Sequence, residues 1–125
     1  MTRRVLVVDD DRAILEVVAV TLARVGGWEV TTASSGEEAL VLAAAEAPDA
    51  ILLDVMMPGL DGPGTLARLQ ADPATRDIPV VVLTAKVAAA ELHRWDDQGV
   101  AGVVTKPFDP LVLPAQVGAL LGWAS

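Results

Sequence analysis

Four stretches of this chain set a polar group just after an apolar run: Asp9-Asp10-Asp11 after Val5 to Val8, Asp54 after Ala50 to Leu53, Thr84 after Val80 to Leu83, and Lys106 shortly after Ala101 to Val104. Carboxylates, a hydroxyl and an ammonium in such positions could do phosphoryl chemistry if they converge. Two like charges ~4 Å apart repel by about 4 kcal/mol at an effective dielectric near 20, so a meeting of Asp9, Asp10 and Asp54 implies a cation. These residues offer only hard oxygen ligands, with no His or Cys nearby, which points to Mg²⁺ or Mn²⁺ keeping several waters. Lys106 would bring a mobile positive charge and Thr84 a hydroxyl donor to the oxygens of a transferred phosphoryl group. Asp54 would be the nucleophile, because a carboxylate is ionised at neutral pH and can attack phosphorus without a general base.

Each residue also has a plainer reading. Asp11 is better explained as a helix N-cap favoured by the helix dipole. Asp54 alone could simply terminate a strand, and Asp61-Gly62 reads as turn chemistry rather than a ligand. Thr84 alone says little. Lys106 could be a solvated loop residue, although the chain has only one other lysine, Lys86. His93, beside Arg94, reads as a solvated surface residue, and Trp95 and Trp123 as packing residues. The weight of the functional reading lies in the shared position of these groups at strand ends.

The elements that must position them follow from periodicity. The near-continuous apolar runs at Val5 to Val8, Ala50 to Leu53, Val80 to Leu83 and Ala101 to Val104 lack alternation, so they are expected as strands buried on both faces of a parallel sheet. A fifth run, Trp28 to Ala33, alternates and suits a strand near the sheet's edge. Helical segments fall between: Arg12 to Arg24 before Gly26-Gly27; Ala39 to Ala47 after a capping box at Ser35-Gly36-Glu37-Glu38; a short one around Gly64 to Ala71; one around 87–98. A fifth follows Asp109-Pro110. Pro114 would cost a helix capped by Asp109 a hydrogen bond, so a delayed start or a bend is expected there. Five strand-helix units with right-handed crossovers give a doubly wound, three-layer α/β fold. Its strands share one carboxyl-end rim, where a crevice opens at the reversal of strand order.

Composition narrows the function. The 125 residues fit one domain with a real core, and the absence of Cys agrees with a reducing compartment. No apolar stretch is long enough to cross a bilayer, and the N-terminus lacks the apolar length and cleavage site of a signal peptide, so a cytoplasmic location is expected. A net charge of -8 opposes direct binding to a phosphate backbone.

The blocks "VLVVDDD", "ILLDVMMPGLDG", "VVVLTAK" and "VVTKPF" resemble, in order and at compatible spacing, those of the bacterial response-regulator receiver domain, the CheY-like family of two-component signalling. The resemblance covers essentially the whole chain and implies a flavodoxin-like sheet of order 2-1-3-4-5 with five helices. It implies that Asp54 is the phosphoacceptor, that Asp9 and Asp10 form the acidic pair with Asp10 the direct metal ligand, and that Met56 lends a backbone carbonyl to the metal. Thr84 resembles the switch hydroxyl and Lys106 the lysine that pairs with the phosphoryl group; Lys106-Pro107 matches the family's usual cis peptide. Added charge at Asp54 would favour the conformer that draws Thr84 and Lys106 inward. The implied partners are a histidine kinase or histidine phosphotransfer protein and a downstream target or fused output domain; no output domain is visible after Gly122-Trp123-Ala124-Ser125. The chain would be a switch that catalyses only its own phosphotransfer and dephosphorylation.

One position departs from the pattern: Val103 stands where the family often carries a Tyr or Phe whose ring changes rotamer. The enzyme alternative is an aspartyl-phosphate phosphohydrolase of the haloacid-dehalogenase type, but the second Asp normally found two residues after its nucleophile is here Met56. The binding-module alternative is an unphosphorylated pseudo-receiver, against which the intact acid pocket, Thr84 and Lys106 count.

Overall fold

A computed structural model describes residues 2–55, 57, 59, 61–85, 95 and 98–123. Five strands, β1 (Arg4–Val8), β2 (Glu29–Ala33), β3 (Ala50–Asp54), β4 (Val80–Thr84) and β5 (Gly102–Thr105), form one parallel sheet in the order β2-β1-β3-β4-β5. The helices described are α1 (Arg12–Arg24), α2 (Gly36–Glu46), α3 (Gly62–Ala71) and α4 (Leu113–Leu121). The helix expected around 87–98 lies almost wholly outside the described residues.

Every residue of β3 and β4 is buried, because these strands are central and covered on both faces, so each successive side chain meets a helix. Alternate residues divide between two cores. Leu6, Val8, Ile51 and Leu53 pack with Ala39 and Ala43 of α2 and Leu66 and Leu69 of α3. Val5, Val7 and Leu52 pack on the opposite face with Leu15, Val18 and Leu22 of α1 and with Leu113 and Val117 of α4. The result is the three-layer, doubly wound arrangement read from the sequence. The alternating strand β2 is at one edge, as its pattern indicated.

β5 corrects an expectation. Its apolar run predicts a strand buried on both faces, but it forms the other edge, and only Val104 is fully buried while Gly102 and Val103 are half-covered. An apolar run records what lies above and below a strand and carries no information about a missing lateral neighbour.

Helix ends follow local chemistry. Asp11 caps α1, its Oδ1 accepting from the Ala13 and Ile14 N–H groups at 3.0 and 3.3 Å, and Ser35 Oγ accepts from the Glu38 N–H at 3.1 Å. Pro114 is accommodated by the delayed start: Asp109 caps a preceding turn by accepting from the Leu111 N–H, and α4 begins at Leu113 so that Pro114 falls in its first turn.

Candidate functional site

β1 and β3 are adjacent and in parallel register, with Val8 opposite Leu53. The residue that follows Val8 therefore arrives beside Asp54. Asp9 and Asp54 are almost fully buried, at 1% and 3% exposure, and Asp10 is exposed. Carboxylate oxygens from the three residues all lie within 4.8 Å of one another. Asp9 is fixed from two sides: its Oδ1 accepts from the Asp11 N–H at 2.9 Å, and its own N–H donates to the Ala33 carbonyl at 3.1 Å. The neighbouring acids thus have distinct surroundings, Asp9 locked into the floor and Asp10 open to solvent.

Lys106 reaches this cluster from the loop after β5. Its Nζ donates to Asp9 Oδ2 at 3.0 Å and to Asp54 Oδ1 at 3.2 Å. Burial pushes the Lys106 pKa down and is the largest single influence on it. The hydrogen bond to Asp9, the charges of Asp54 and Asp9 and the hydrogen bond to Asp54 together outweigh that effect, and the pKa lies above the usual 10.5. The ammonium is therefore charged throughout the neutral range. The Lys106-Pro107 peptide bond is cis.

Thr84 ends β4, buried at 1% exposure, and its carbonyl accepts from the Lys106 N–H at 2.8 Å. It also pairs with Thr105 across the β4–β5 register. Met56 lies outside the described residues, as do Lys86 and His93. Trp95 is buried at 4% exposure within the core on the α2–α3 face, while Trp123 stacks edge-on against Trp28 at 5.1 Å with the Arg3 guanidinium over its ring.

Asp61 caps α3, its Oδ1 accepting from the Gly64 N–H at 2.8 Å. The residue after it supports the site in a way the sequence reading missed. A Cβ built on Gly62 would stand 2.3 Å from Val55 Cα and 3.0 Å from the Asp54 carbonyl oxygen, so the start of α3 is pressed directly onto the strand end that carries Asp54. The available signal was a glycine directly after a capping acid, which by itself indicates only a turn.

The response regulator receiver domain model matches residues 5–118, and the chain belongs to that family: it is a receiver domain of two-component signalling, a class of signalling switches. Response regulator PleD of Caulobacter vibrioides is 42% identical over 120 residues, which cover 96% of this chain and 26% of PleD. Response regulator MprA of Mycolicibacterium vanbaalenii is 42% identical over 121 residues, covering 97% of this chain and 51% of MprA. The chain thus spans about a quarter to a half of these curated relatives. Among solved structures, chemotaxis protein CheY4 of Vibrio cholerae matches with a TM-score of 0.88 at 30% identity, covering 96% of this chain and 99% of CheY4. The receiver domain of Francisella response regulator 1452 matches with a TM-score of 0.86 at 31% identity, covering 97% and 98% of the respective chains.

Proposed function

We propose that Asp54 accepts a phosphoryl group from a phosphohistidine on a histidine kinase or phosphotransfer protein, with Mg²⁺ (or Mn²⁺) held by Asp9, Asp10 and Asp54, and that the modified domain then engages a downstream protein or a fused output domain. The observation that carries this reading is the buried Asp54 carboxylate at the end of β3, 3.2 Å from the Lys106 ammonium and grouped with Asp9 and Asp10. The alternatives, a phosphohydrolase or a docking module without phosphorylation, have no comparable observation in their favour.

The donor set fits a hard divalent cation. Three carboxylates and one ammonium carry two formal negative charges between them, and every donor is oxygen. Met56 is proposed to add its backbone carbonyl. A bound cation would supply positive charge to the phosphoryl oxygens.

Within the transfer, an Asp54 carboxylate oxygen attacks phosphorus, the bond from phosphorus to the donor imidazole breaks, and the imidazole nitrogen keeps the electron pair and takes a proton from solvent. Asp9, held by Lys106 and the Asp11 N–H, keeps the floor rigid while charge moves. In this reading Lys106 follows the charge from the Asp54 carboxylate to the phosphoryl oxygens, and Thr84 donates its hydroxyl to another. The added charge on Asp54 rewards a conformer in which both have moved inward. This reading places a single receiver domain at residues 1–125, in the cytoplasm where its donor works, and leaves any contact with nucleic acid to an output domain.

Incubation with acetyl phosphate and Mg²⁺ followed by intact-mass measurement is expected to show one added phosphoryl group, lost in Asp54→Asn. Asp10→Ala is expected to weaken Mg²⁺ affinity by at least about tenfold while leaving the chain folded. An adduct that persists in Asp54→Asn would transfer the role to another residue, and unchanged Mg²⁺ affinity in Asp10→Ala would move the cation elsewhere.

A further inference from the structure

α3 is pressed onto the acid site at one end and tied to the approach to β5 at the other. At its start, a Cβ on Gly62 would stand 2.3 Å from Val55 Cα, and the Gly62 N–H donates to the Val55 carbonyl at 3.4 Å. Val55 directly follows Asp54. At the far end, Gln70 Nε2 donates to the Gln98 carbonyl, 28 positions away. Gly99, at φ +76°, lies beside the same amide: a Cβ there would be 3.8 Å from Gln70 Nε2.

Between these ends the helix is held along its length. Leu66 and Leu69 are buried in the core that also holds Trp95. The buried Thr75 hydroxyl donates to the Leu69 carbonyl at 2.7 Å, which satisfies an acceptor that the last turn would otherwise leave open. Beyond Gln98 the chain enters β5. The Gln98 N–H donates to the Trp95 carbonyl at 3.1 Å and the Ala101 N–H to the Val80 carbonyl at 2.8 Å. Gly102, the first residue of β5, carries Leu120 of α4 directly against it: a Cβ at Gly102 would be 2.6 Å from Leu120 Cδ2.

We propose that α3 is a strut that carries the state of Asp54 to the start of β5 and so to α4, with Gln70 as its point of attachment; this rests on Asp54 as the phosphorylated residue. A phosphoryl group on Asp54 acts on the residue next to Val55. Backbone packed on backbone at Gly62 leaves no void to absorb a displacement, so a sub-ångström shift of Val55 passes into the helix, which moves as a body. Gln70 then draws on Gln98 and Gly99. The connection needs no ring at position 103 and runs apart from Thr84.

Beryllofluoride, which stands in for the phosphoryl group, tests this by NMR of the labelled protein in Mg²⁺ buffer. Its addition should move the amide resonances of Gln98, Gly99 and Gly102 together with those of Asp9, Asp10 and Asp54. Gln70 is exposed, so Gln70→Ala should fold as the parent does, with the movement at Gln98 and Gly99 reduced by about half or more and that at Thr105 retained. Gln70→Glu keeps the shape without the donor and should match it. Acid-pocket amides that move while Gln98 and Gly99 stay still overturn the strut and leave phosphorylation of Asp54 standing. So does full movement at Gln98 and Gly99 in both Gln70 variants. Acid-pocket amides that stay still overturn phosphorylation of Asp54, and the strut with it.

Discussion

Lys106 donates to Asp9 at 3.0 Å across 97 positions of sequence, joining the loop after β5 to the end of β1 over the intervening β4 and β3. Strands spaced about 4.8 Å apart put β5 some three spacings from β1, farther than a lysine side chain reaches. The loop itself must therefore fold over the rim. The contact closes the acid pocket with the last element of the sheet, so the site is complete only when the whole sheet is assembled.

Replacing Lys106 removes the ammonium that faces two buried carboxylates. Lys106→Met is expected to lower stability by about 1–3 kcal/mol at neutral pH in cation-free buffer. Mg²⁺ should restore part of the loss, since it answers the same charge. Urea unfolding with and without Mg²⁺ checks both; equal stability of the two proteins in cation-free buffer would show that the contact contributes nothing.

The sign of the Lys106 shift fixes an alkaline limb. A folded-state pKa above the unfolded value of about 10.5 means that the ion pairs stabilise fully below that pH, and that the contribution is lost as pH rises through the folded pKa. Between pH 7 and 9.5 stability should therefore carry no slope from Lys106. Above about 10.5 it should fall more steeply in the parent than in Lys106→Met. Parallel thermal unfolding curves for the two proteins across the alkaline range would contradict this.

Much of this architecture was legible in sequence because it is written locally. Asp11 and Ser35 announce helix starts through their own hydrogen bonds, and the alternation of Trp28 to Ala33 identified an edge strand. The convergence of Asp9, Asp10 and Asp54 was legible because parallel strands must end on one rim. Strand order came from the resemblance, since periodicity does not say which strand lies beside which. Nor could the sequence divide Asp9 from Asp10: adjacent acids look alike until the strand end buries one and exposes the other. Gly62 escaped notice because its constraint comes from Val55, a contact between the strand end and α3 that no local rule encodes.

That contact gives a direct test. Gly62→Ala would place a methyl 2.3 Å from Val55 Cα, where the obstacle is backbone and cannot rotate away. Overpacking of this kind costs about 1–3 kcal/mol, and the upper end is expected here. Because the displaced segment carries Asp54, the proposed phosphorylation by acetyl phosphate should slow as well. A variant with parental stability would mean that α3 can shift without disturbing the strand end.

Val103 stands where the receiver family often carries an aromatic ring. Val103 pairs with Val82 and is half-buried against the core that holds Trp95. It has no ring to turn, so on the proposed mechanism a signal from Asp54 would cross by backbone. The structure offers a route: the Lys106 N–H is bonded to the Thr84 carbonyl at 2.8 Å, and Thr84 pairs with Thr105, so a displacement of Thr84 pulls on the end of β5. On the proposed phosphorylation mechanism, the beryllofluoride complex at Asp54, standing in for the phosphoryl group, should shift amide resonances from Thr84 through Thr105 and Val103 to Trp95. Thr84→Ala should confine those shifts to the acid pocket, because it removes the hydroxyl proposed to draw the strand end inward. Shifts confined to Asp9, Asp10 and Asp54 in the parent protein would mean that β5 plays no part in output and that the signal leaves by another face.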